Sequence, residues 1–210
     1  MRLDPARYPA LPVAQPVSLR DYQESLVADV RAAFAAGQSC PLLVAPTGAG
    51  KTVMFSYIAR NAANLGRRVL ILAHRDTLIK QSSAKLRDYG VEHGVIMAGF
   101  TPQHHYRVQV ASVQTIVRRL DKLPYAFDLV VIDEAHLSAA KSYITIVEKL
   151  REKNPKMKLL GVTGSPVRLD GKGLGRHAGG LFDVLLQGLG PRDLIDQAYL
   201  VQPTVYAPAE

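Results

Sequence analysis

The segment that most constrains the fold is the run Ala45-Pro-Thr-Gly-Ala-Gly-Lys-Thr52, a Gly-rich turn between an apolar run and a helical stretch. Residues 42–45 predict a short buried strand, and residues 51–65, followed by Gly66, predict a helix. Gly48 and Gly50 let the intervening backbone N–H groups turn inward, and the helix directs its positive N-terminal end to the same place. A strand, Gly-rich turn and helix in this order predict a loop that binds the phosphates of a nucleotide.

Each position of this loop has a predicted role. Lys51 can reach the β- and γ-phosphates, and the hydroxyl of Thr52 can hold Mg²⁺. The general pattern for such loops begins with Gly, where this chain has Ala45. The alternative is a Gly-rich turn that binds nothing, and Gly-Lys-Thr at a helix start after a strand argues against it. The predicted nucleotide contacts in this segment are Pro46, Thr47, Gly48, Ala49, Gly50, Lys51 and Thr52.

Short apolar runs alternate with helical stretches along most of the 210 residues. Strands are predicted at residues 42–45, 69–73, 95–98, 108–111, 129–132 and 159–162, and helices at 18–36, 51–65, 75–89, 113–120, 142–152 and 191–197. Nearly continuous apolar strands separated by helices predict an α/β domain with a mostly parallel central sheet and helices on both faces. The Gly-rich residues 170–190 are predicted to form a mobile surface segment with one short helix.

An acidic pair follows the apolar strand at residues 129–132, in the sequence Asp133-Glu134-Ala135-His136. Carboxylates at the carboxyl end of a sheet strand lie where α/β folds bind ligands. Asp133 is predicted to complete the Mg²⁺ shell opposite Thr52, and Glu134 to position and deprotonate the water that attacks the γ-phosphate. The alternative is a solvated Asp-Glu pair, which the presence of the phosphate loop makes the weaker reading.

Together these residues resemble a superfamily 2 helicase over nearly the whole chain. Within that superfamily the chain is most similar to RadD-like and restriction-type (ResIII) DNA helicases, many of them bacterial or phage proteins. The matching segments are residues 20–23 (the Q-motif), 45–52 (motif I), 72–81 (motif Ia), 109–115 (the next strand-contacting motif), 133–136 (motif II, spelled DEAH) and 161–168 (motif III). Motif III departs from its usual Ala-Thr core, since this chain has Gly164-Ser165-Pro166.

The resemblance implies further site residues. It places Arg20 and Gln23 at the base of ATP, Gln23 on the adenine. It makes His136, Thr163 and Ser165 the residues that relay nucleotide state to the strand-binding surface. It assigns the nucleic-acid contacts to His74, Arg75, Ser112, Gln114 and Thr115, with Arg118 and Arg119 as an extension of the same basic face.

The resemblance also implies a RecA-like, P-loop NTPase fold and a domain organisation. Residues 1–17 are predicted to be an extended arm, 18–198 the first RecA-like helicase lobe, and 199–210 the start of a linker to a second lobe. Motifs IV to VI belong to that second lobe, so we expect this chain to be part of a longer protein or to receive the lobe from a partner. The family's arginine fingers lie there too, which predicts weak ATP hydrolysis by this lobe alone.

Four functional readings follow. The leading one is the motor lobe of an ATP-dependent DNA helicase or translocase, with ATP and Mg²⁺ as cofactors and single- or double-stranded DNA as partner. The alternatives are an isolated nucleotide- and DNA-binding module with little activity, the motor subunit of a restriction-type double-strand translocase, and an RNA helicase.

Composition agrees with a nucleic-acid partner but does not require it. Lys and Arg number 26 against 18 Asp and Glu, a net charge of +8 that suits phosphates. The single cysteine, Cys40, excludes an intrachain disulfide and predicts a reducing compartment, the bacterial cytoplasm or the host cytoplasm if a phage encodes the protein. No apolar run approaches the roughly 18 residues that a membrane helix needs, so we expect no membrane partner.

Overall fold

The computed structural model describes residues 18–74, 76–167 and 171–203. The predicted alternation of strands and helices is present along these residues. The strands are β1 (Pro41–Val44), β2 (Val69–Ala73), β3 (His93–Ile96), β4 (Val108–Ser112), β5 (Leu129–Asp133), β6 (Lys158–Thr163) and β7 (Val184–Gln187). The helices are α1 (Asp21–Ala35), α2 (Lys51–Asn64), α3 (Asp76–Asp88), α4 (Val113–Ile116), α5 (Lys141–Lys153) and α6 (Pro191–Asp196).

The strands form one seven-stranded sheet in the order β3-β4-β2-β5-β6-β1-β7, and every strand pair is parallel. Buried side chains form two clusters, one under α1, α2, α3 and α6 and the other under α4 and α5. The central strands supply both clusters, as Ile71 packs into the first and Leu70 into the second. The predicted α/β fold with helices on both faces is confirmed.

Parallel pairing brings the carboxyl ends of all the strands to one edge of the sheet. The phosphate loop follows β1, His74 follows β2, Glu134 follows β5 and Gly164 follows β6. Ligands of open parallel sheets bind at this edge. The topology therefore gathers residues that are far apart in the sequence along one face of the molecule.

Several boundaries differ from the predicted ones. Helix α1 begins at Asp21 and not at Ser18. Arg20 is its N-cap, because the side chain of Gln23 accepts the backbone N–H of Arg20 at 3.1 Å. Strand β3 is displaced two residues toward the N-terminus, since buried His93 hydrogen-bonds Ser83 at 2.7 Å and the Val91 carbonyl at 2.7 Å. The helix predicted over 113–120 is shortened to α4, with a 3-10 turn at Leu120–Lys122.

The prediction of a surface segment with one short helix at residues 170–190 missed a strand and two buried side chains in its described part. Residues 184–187 form β7, which pairs with β1 at the sheet edge. Leu174 and Phe182 are each 2% exposed, and a Cβ on Gly161 would collide with the ring of Phe182. The carboxylate of Asp183 accepts the backbone N–H groups of Ser39 and Cys40 and fixes the start of β7 beside β1.

Some predictions fall on residues that the structure does not describe. They are the extended arm at 1–17, the nucleic-acid contact Arg75, the end of motif III at Arg168, and residues 204–210 of the predicted linker. These stay predictions. No helix in the described ranges combines the length and apolar character needed to cross a membrane.

Candidate functional site

The phosphate loop has the backbone shape that its sequence predicts. Gly48 has φ 86° and Gly50 has φ 77°, a left-handed conformation that favours Gly. Ala45, which stands in place of the usual first Gly, extends β1 by donating its N–H to the Thr163 carbonyl at 3.0 Å. That extended position accommodates a side chain, and Ala45 is 2% exposed. The departure from the general pattern is therefore structurally neutral.

Two side chains of α1 hold the loop. The amide of Gln23 donates to the Ala49 carbonyl at 3.0 Å, and the hydroxyl of Tyr22 donates to the same oxygen at 3.0 Å. Gln23 is 3% exposed, and a Cβ on Gly50 would collide with its amide. Gln23 thus has a positioning role toward the loop, and its predicted contact with adenine stays a prediction.

Residues 199–200 complete this side of the loop, and no motif in the sequence indicated them. The ring of Tyr199 lies 4.8 Å from that of Tyr22, and the guanidinium of Arg20 lies 5.1 Å from the Tyr199 ring centroid. A Cβ on Gly48 would meet Leu200 at 2.7 Å. The predicted base contact Arg20 therefore belongs to a cluster with two aromatic rings, which is a surface suited to a planar base.

Lys51 lies over the loop with its ammonium 3.3 Å from the Ala45 carbonyl and 3.4 Å from the Pro46 carbonyl. A Cβ on Gly164 would lie 3.5 Å from that ammonium and 3.8 Å from the hydroxyl of Thr47. The end of β6 therefore borders the phosphate loop. Motif I and motif III form one wall of the site.

Asp133 ends β5 and is 8% exposed, with Glu134 next to it in a left-handed conformation at φ 52°. The pKa of Asp133 is raised to about 6, mainly by burial and then by the charge of Glu134, while the Glu134 N–H and the charge of Lys51 act in the opposite direction. Two carboxylates facing one lysine leave negative charge for a cation. The Asp133 carboxylate and the hydroxyl of Thr52 at the start of α2 are the oxygen donors here that fit Mg²⁺.

We expect Asp133→Asn to stabilise the protein in a pH-dependent way when Mg²⁺ is absent. The folded pKa of about 6 lies above the usual aspartate value of 3.8, so the ionised carboxylate destabilises the fold by roughly 3 kcal/mol at pH 7. That cost shrinks as the pH falls through 6, to roughly a third at pH 4.5. Thermal unfolding in a chelator should give a larger gain in Tm at the higher pH.

Asp29→Asn is the control for this experiment, because Asp29 is exposed on α1. It should change the Tm little at either pH. An equal gain in Tm for Asp133→Asn at both pH values would show that the carboxylate does not carry the expected pKa.

The three predicted coupling residues are connected by hydrogen bonds. The hydroxyl of Thr163 donates to the Ser165 carbonyl at 2.9 Å and accepts the Ser165 N–H at 3.2 Å. Since that hydroxyl has one proton, His136 Nδ1, 3.2 Å away, must be the donor to it. The same Nδ1 lies 3.3 Å from the Glu134 carboxylate. Ser165 contributes through its backbone, so the missing Thr of the usual motif III removes none of these bonds.

A groove at the carboxyl ends of β2 and β4 contains four of the five predicted nucleic-acid residues. Its volume is about 420 Å³, and its lining comprises His74, Ala98, Ser112, Gln114, Thr115, Arg118 and Arg119. Ser112 donates to Gln114 at 2.9 Å, and the amide of Gln114 lies 3.3 Å from His74 Nδ1. Two guanidiniums beside amides and hydroxyls suit phosphate oxygens.

Comparison with known proteins gives a family and several relatives. The family described as type III restriction enzyme, res subunit (ResIII), matches residues 16–168. A Schizosaccharomyces pombe protein named "Putative mitochondrial ATP-dependent helicase irc3" is 32% identical over 200 residues, which cover 90% of this chain and 32% of that protein. The chain spans about a third of the length of the first curated relatives it matches.

Solved structures agree on the fold. The helicase domain of Hef from Pyrococcus furiosus is 26% identical with a TM-score of 0.59, and the match covers 70% of this chain and 33% of that one. The UvsW helicase of bacteriophage T4 is 23% identical with a TM-score of 0.61, over 80% of this chain and 59% of that one.

Proposed function

This chain belongs to the ResIII family, described as the res subunit of type III restriction enzymes, and we propose that it is the ATP-binding motor lobe of a DNA helicase or translocase. One observation carries the proposal. A phosphate loop with two carboxylates and a polar, basic groove lie along the same carboxyl edge of one parallel sheet. A motor that converts nucleotide state into strand movement needs both sites on one rigid body.

In this proposal ATP binds with its phosphates on the loop at residues 46–50. Lys51 holds the β- and γ-phosphates, and its ammonium needs only to turn from the two loop carbonyls that it now contacts. Thr52 and Asp133 hold Mg²⁺, which neutralises charge on the phosphates when it is bound. Arg20 and Gln23 lie at the base, with Tyr199 offering a ring for it to contact.

Glu134 is the proposed general base for hydrolysis. Its carboxylate lies 3.3 Å from His136 Nδ1, the nitrogen that also donates to Thr163, and the strained left-handed backbone at this residue is typical of active sites. The remaining charge stabilisation would come from a second RecA-like lobe. An arginine finger is worth about 10³–10⁵ in turnover in related nucleotidases, so this lobe alone should hydrolyse ATP slowly.

We assign the groove to the phosphate backbone of DNA. The family is that of restriction enzymes, which supports DNA over RNA as the partner. Phosphate contacts position a strand without reading its sequence, and the groove offers polar and guanidinium groups in that manner. Residues 199–210 are proposed to lead to the second lobe, and Leu200, packed against Gly48, brings that exit onto the phosphate loop.

The salt dependence of DNA binding tests the groove. We expect the double substitution Arg118→Ala and Arg119→Ala to weaken binding of single-stranded DNA and to reduce the slope of log K against log salt. Loss of two phosphate contacts should lower the magnitude of that slope by about 1.4. The measurement is fluorescence anisotropy with a labelled oligonucleotide across a salt series.

The matched control removes two positive charges from the opposite edge of the sheet, by Arg60→Ala near the end of α2 and Lys156→Ala before β6. Its slope should stay near that of the unaltered chain. Equal losses in the two double variants would mean that DNA responds to net charge and that the groove is not the binding site.

A further inference from the structure

Tyr143 on α5 is a buried polar residue with no explanation in the fold. Its side chain is 0% exposed, and its hydroxyl has no hydrogen-bond partner among the described residues. A buried hydroxyl without a partner is costly, and Phe would fill the same space without that cost. The position of this hydroxyl between the two proposed sites gives a reason for it.

On one side Tyr143 belongs to the same buried cluster as Ile132 and Ala135, the residues that flank Asp133 and Glu134. The turn that leaves Glu134 leads through residues 135–140 directly into α5. Burial raises the pKa of the Tyr143 hydroxyl, and the charges of Asp133 and Glu134 raise it further. The hydroxyl therefore lies within electrostatic reach of both carboxylates.

The other side of Tyr143 faces the groove. Its ring lies nearly parallel to that of His74, at 22° with 6.5 Å between the centroids. This contact is possible because β2, which precedes His74, and β5, which precedes Glu134, are neighbours in the sheet. From His74 the contacts continue into the groove through Gln114 at 3.3 Å and on to Ser112 at 2.9 Å.

We propose that Tyr143 is a positioning residue that couples the nucleotide carboxylates to the strand-binding groove through His74. This inference rests on the proposed function and goes beyond it, because it adds a route separate from His136, Thr163 and Ser165. The Tyr143 hydroxyl responds to the position and charge of Asp133 and Glu134. The Tyr143 ring transmits that response to His74. His74, Gln114 and Ser112 then set the shape of the groove.

The test is a linkage measurement on the 210-residue chain. The affinity for a labelled DNA oligonucleotide is measured by anisotropy with and without a saturating, non-hydrolysable Mg–ATP analogue, and the ratio of the two Kd values is the coupling. In the unaltered chain we expect a ratio of about fivefold or more. In Tyr143→Phe we expect each separate affinity to stay within about twofold and the ratio to fall toward one.

Two further variants separate coupling from structure. Tyr125→Phe removes another tyrosine hydroxyl, one that hydrogen-bonds His104 at 2.9 Å near the amino end of β5, and should leave the ratio unchanged. His74→Ala combined with Tyr143→Phe should lower the ratio no more than His74→Ala alone, because both residues lie on one route. An unchanged or raised Tm for Tyr143→Phe shows that its fold is intact.

The outcomes are distinct. If Tyr143→Phe keeps the ratio of the unaltered chain, or if the unaltered chain binds both ligands without coupling, this inference is overturned and the proposed function is not. If the unaltered chain fails to bind the Mg–ATP analogue or DNA at all, the proposed function is overturned and the inference with it.

Discussion

Replacing Lys51 with alanine should lower the affinity for Mg–ATP about a hundredfold and reduce ATP hydrolysis to background. Lys51 follows the loop directly, and its ammonium hydrogen-bonds only loop carbonyls among the described residues. Two charge-assisted hydrogen bonds to phosphate, at roughly 1.5 kcal/mol each, give a loss of this size. Equilibrium titration with a fluorescent ATP analogue measures the affinity, and release of inorganic phosphate measures hydrolysis.

Lys156→Ala is the matched control for this charge, since Lys156 is exposed between α5 and β6. It should leave affinity and hydrolysis unchanged. Continued ATP turnover by Lys51→Ala would contradict the assignment of the phosphate loop as the nucleotide site.

Replacing Glu134 with glutamine should preserve Mg–ATP binding and slow hydrolysis by about 10²–10⁴-fold, the usual contribution of a general base. Glutamine has the size of glutamate and cannot take a proton from water. Glu134 does not belong to the proposed metal shell, so binding does not depend on its charge. Single-turnover hydrolysis with the protein in excess over ATP makes even a slow rate measurable.

Glu148→Gln, an exposed change on α5, is the control and should hydrolyse ATP at the normal rate. The reverse pattern in Glu134→Gln, weaker binding with normal hydrolysis, would make Glu134 a metal or nucleotide ligand and leave the general base unassigned.

Much of the fold could be predicted because its strands are buried on both faces. Such strands are short, continuous apolar runs, and the bounds of β2 were predicted without error at residues 69–73. The edge strand β7 has only the short apolar run Val184-Leu185-Leu186 among glycines, and its residues alternate between half-buried and exposed. Its position depends on Asp183 and Phe182, whose contacts with β1 and β6 are distant in the sequence.

The candidate site likewise has parts that the sequence predicts and parts that it does not. The phosphate loop and the acidic strand end are contiguous motifs, so the sequence alone identifies them. The resemblance to superfamily 2 helicases, including the restriction-type group, is confirmed by the family match, whereas the RadD-like part stays a prediction. Tyr22 and Tyr143 were missed because a tyrosine at helical spacing has the same pattern whether it fills a core or borders a ligand site. Tyr199 was missed because no site motif includes it.

The readings of this chain differ in how they expect ATP hydrolysis to respond to nucleic acid. The phosphate loop and the groove would serve either a binding module with little activity or a motor lobe that works with a second lobe. These two readings differ in whether DNA changes the rate of ATP hydrolysis. A double-strand translocase and a helicase share the lobe as well, and they differ in which form of DNA stimulates ATP turnover. An RNA helicase would respond to RNA instead.

Steady-state ATP hydrolysis by the 210-residue chain, alone and with single-stranded DNA, double-stranded DNA or RNA, tests the central claim most directly. We predict a slow Mg²⁺-dependent rate that DNA raises more than RNA does and that Lys51→Ala abolishes. A chain that binds no Mg–ATP, and whose hydrolysis stays at background with every nucleic acid, would contradict the assignment of a motor lobe.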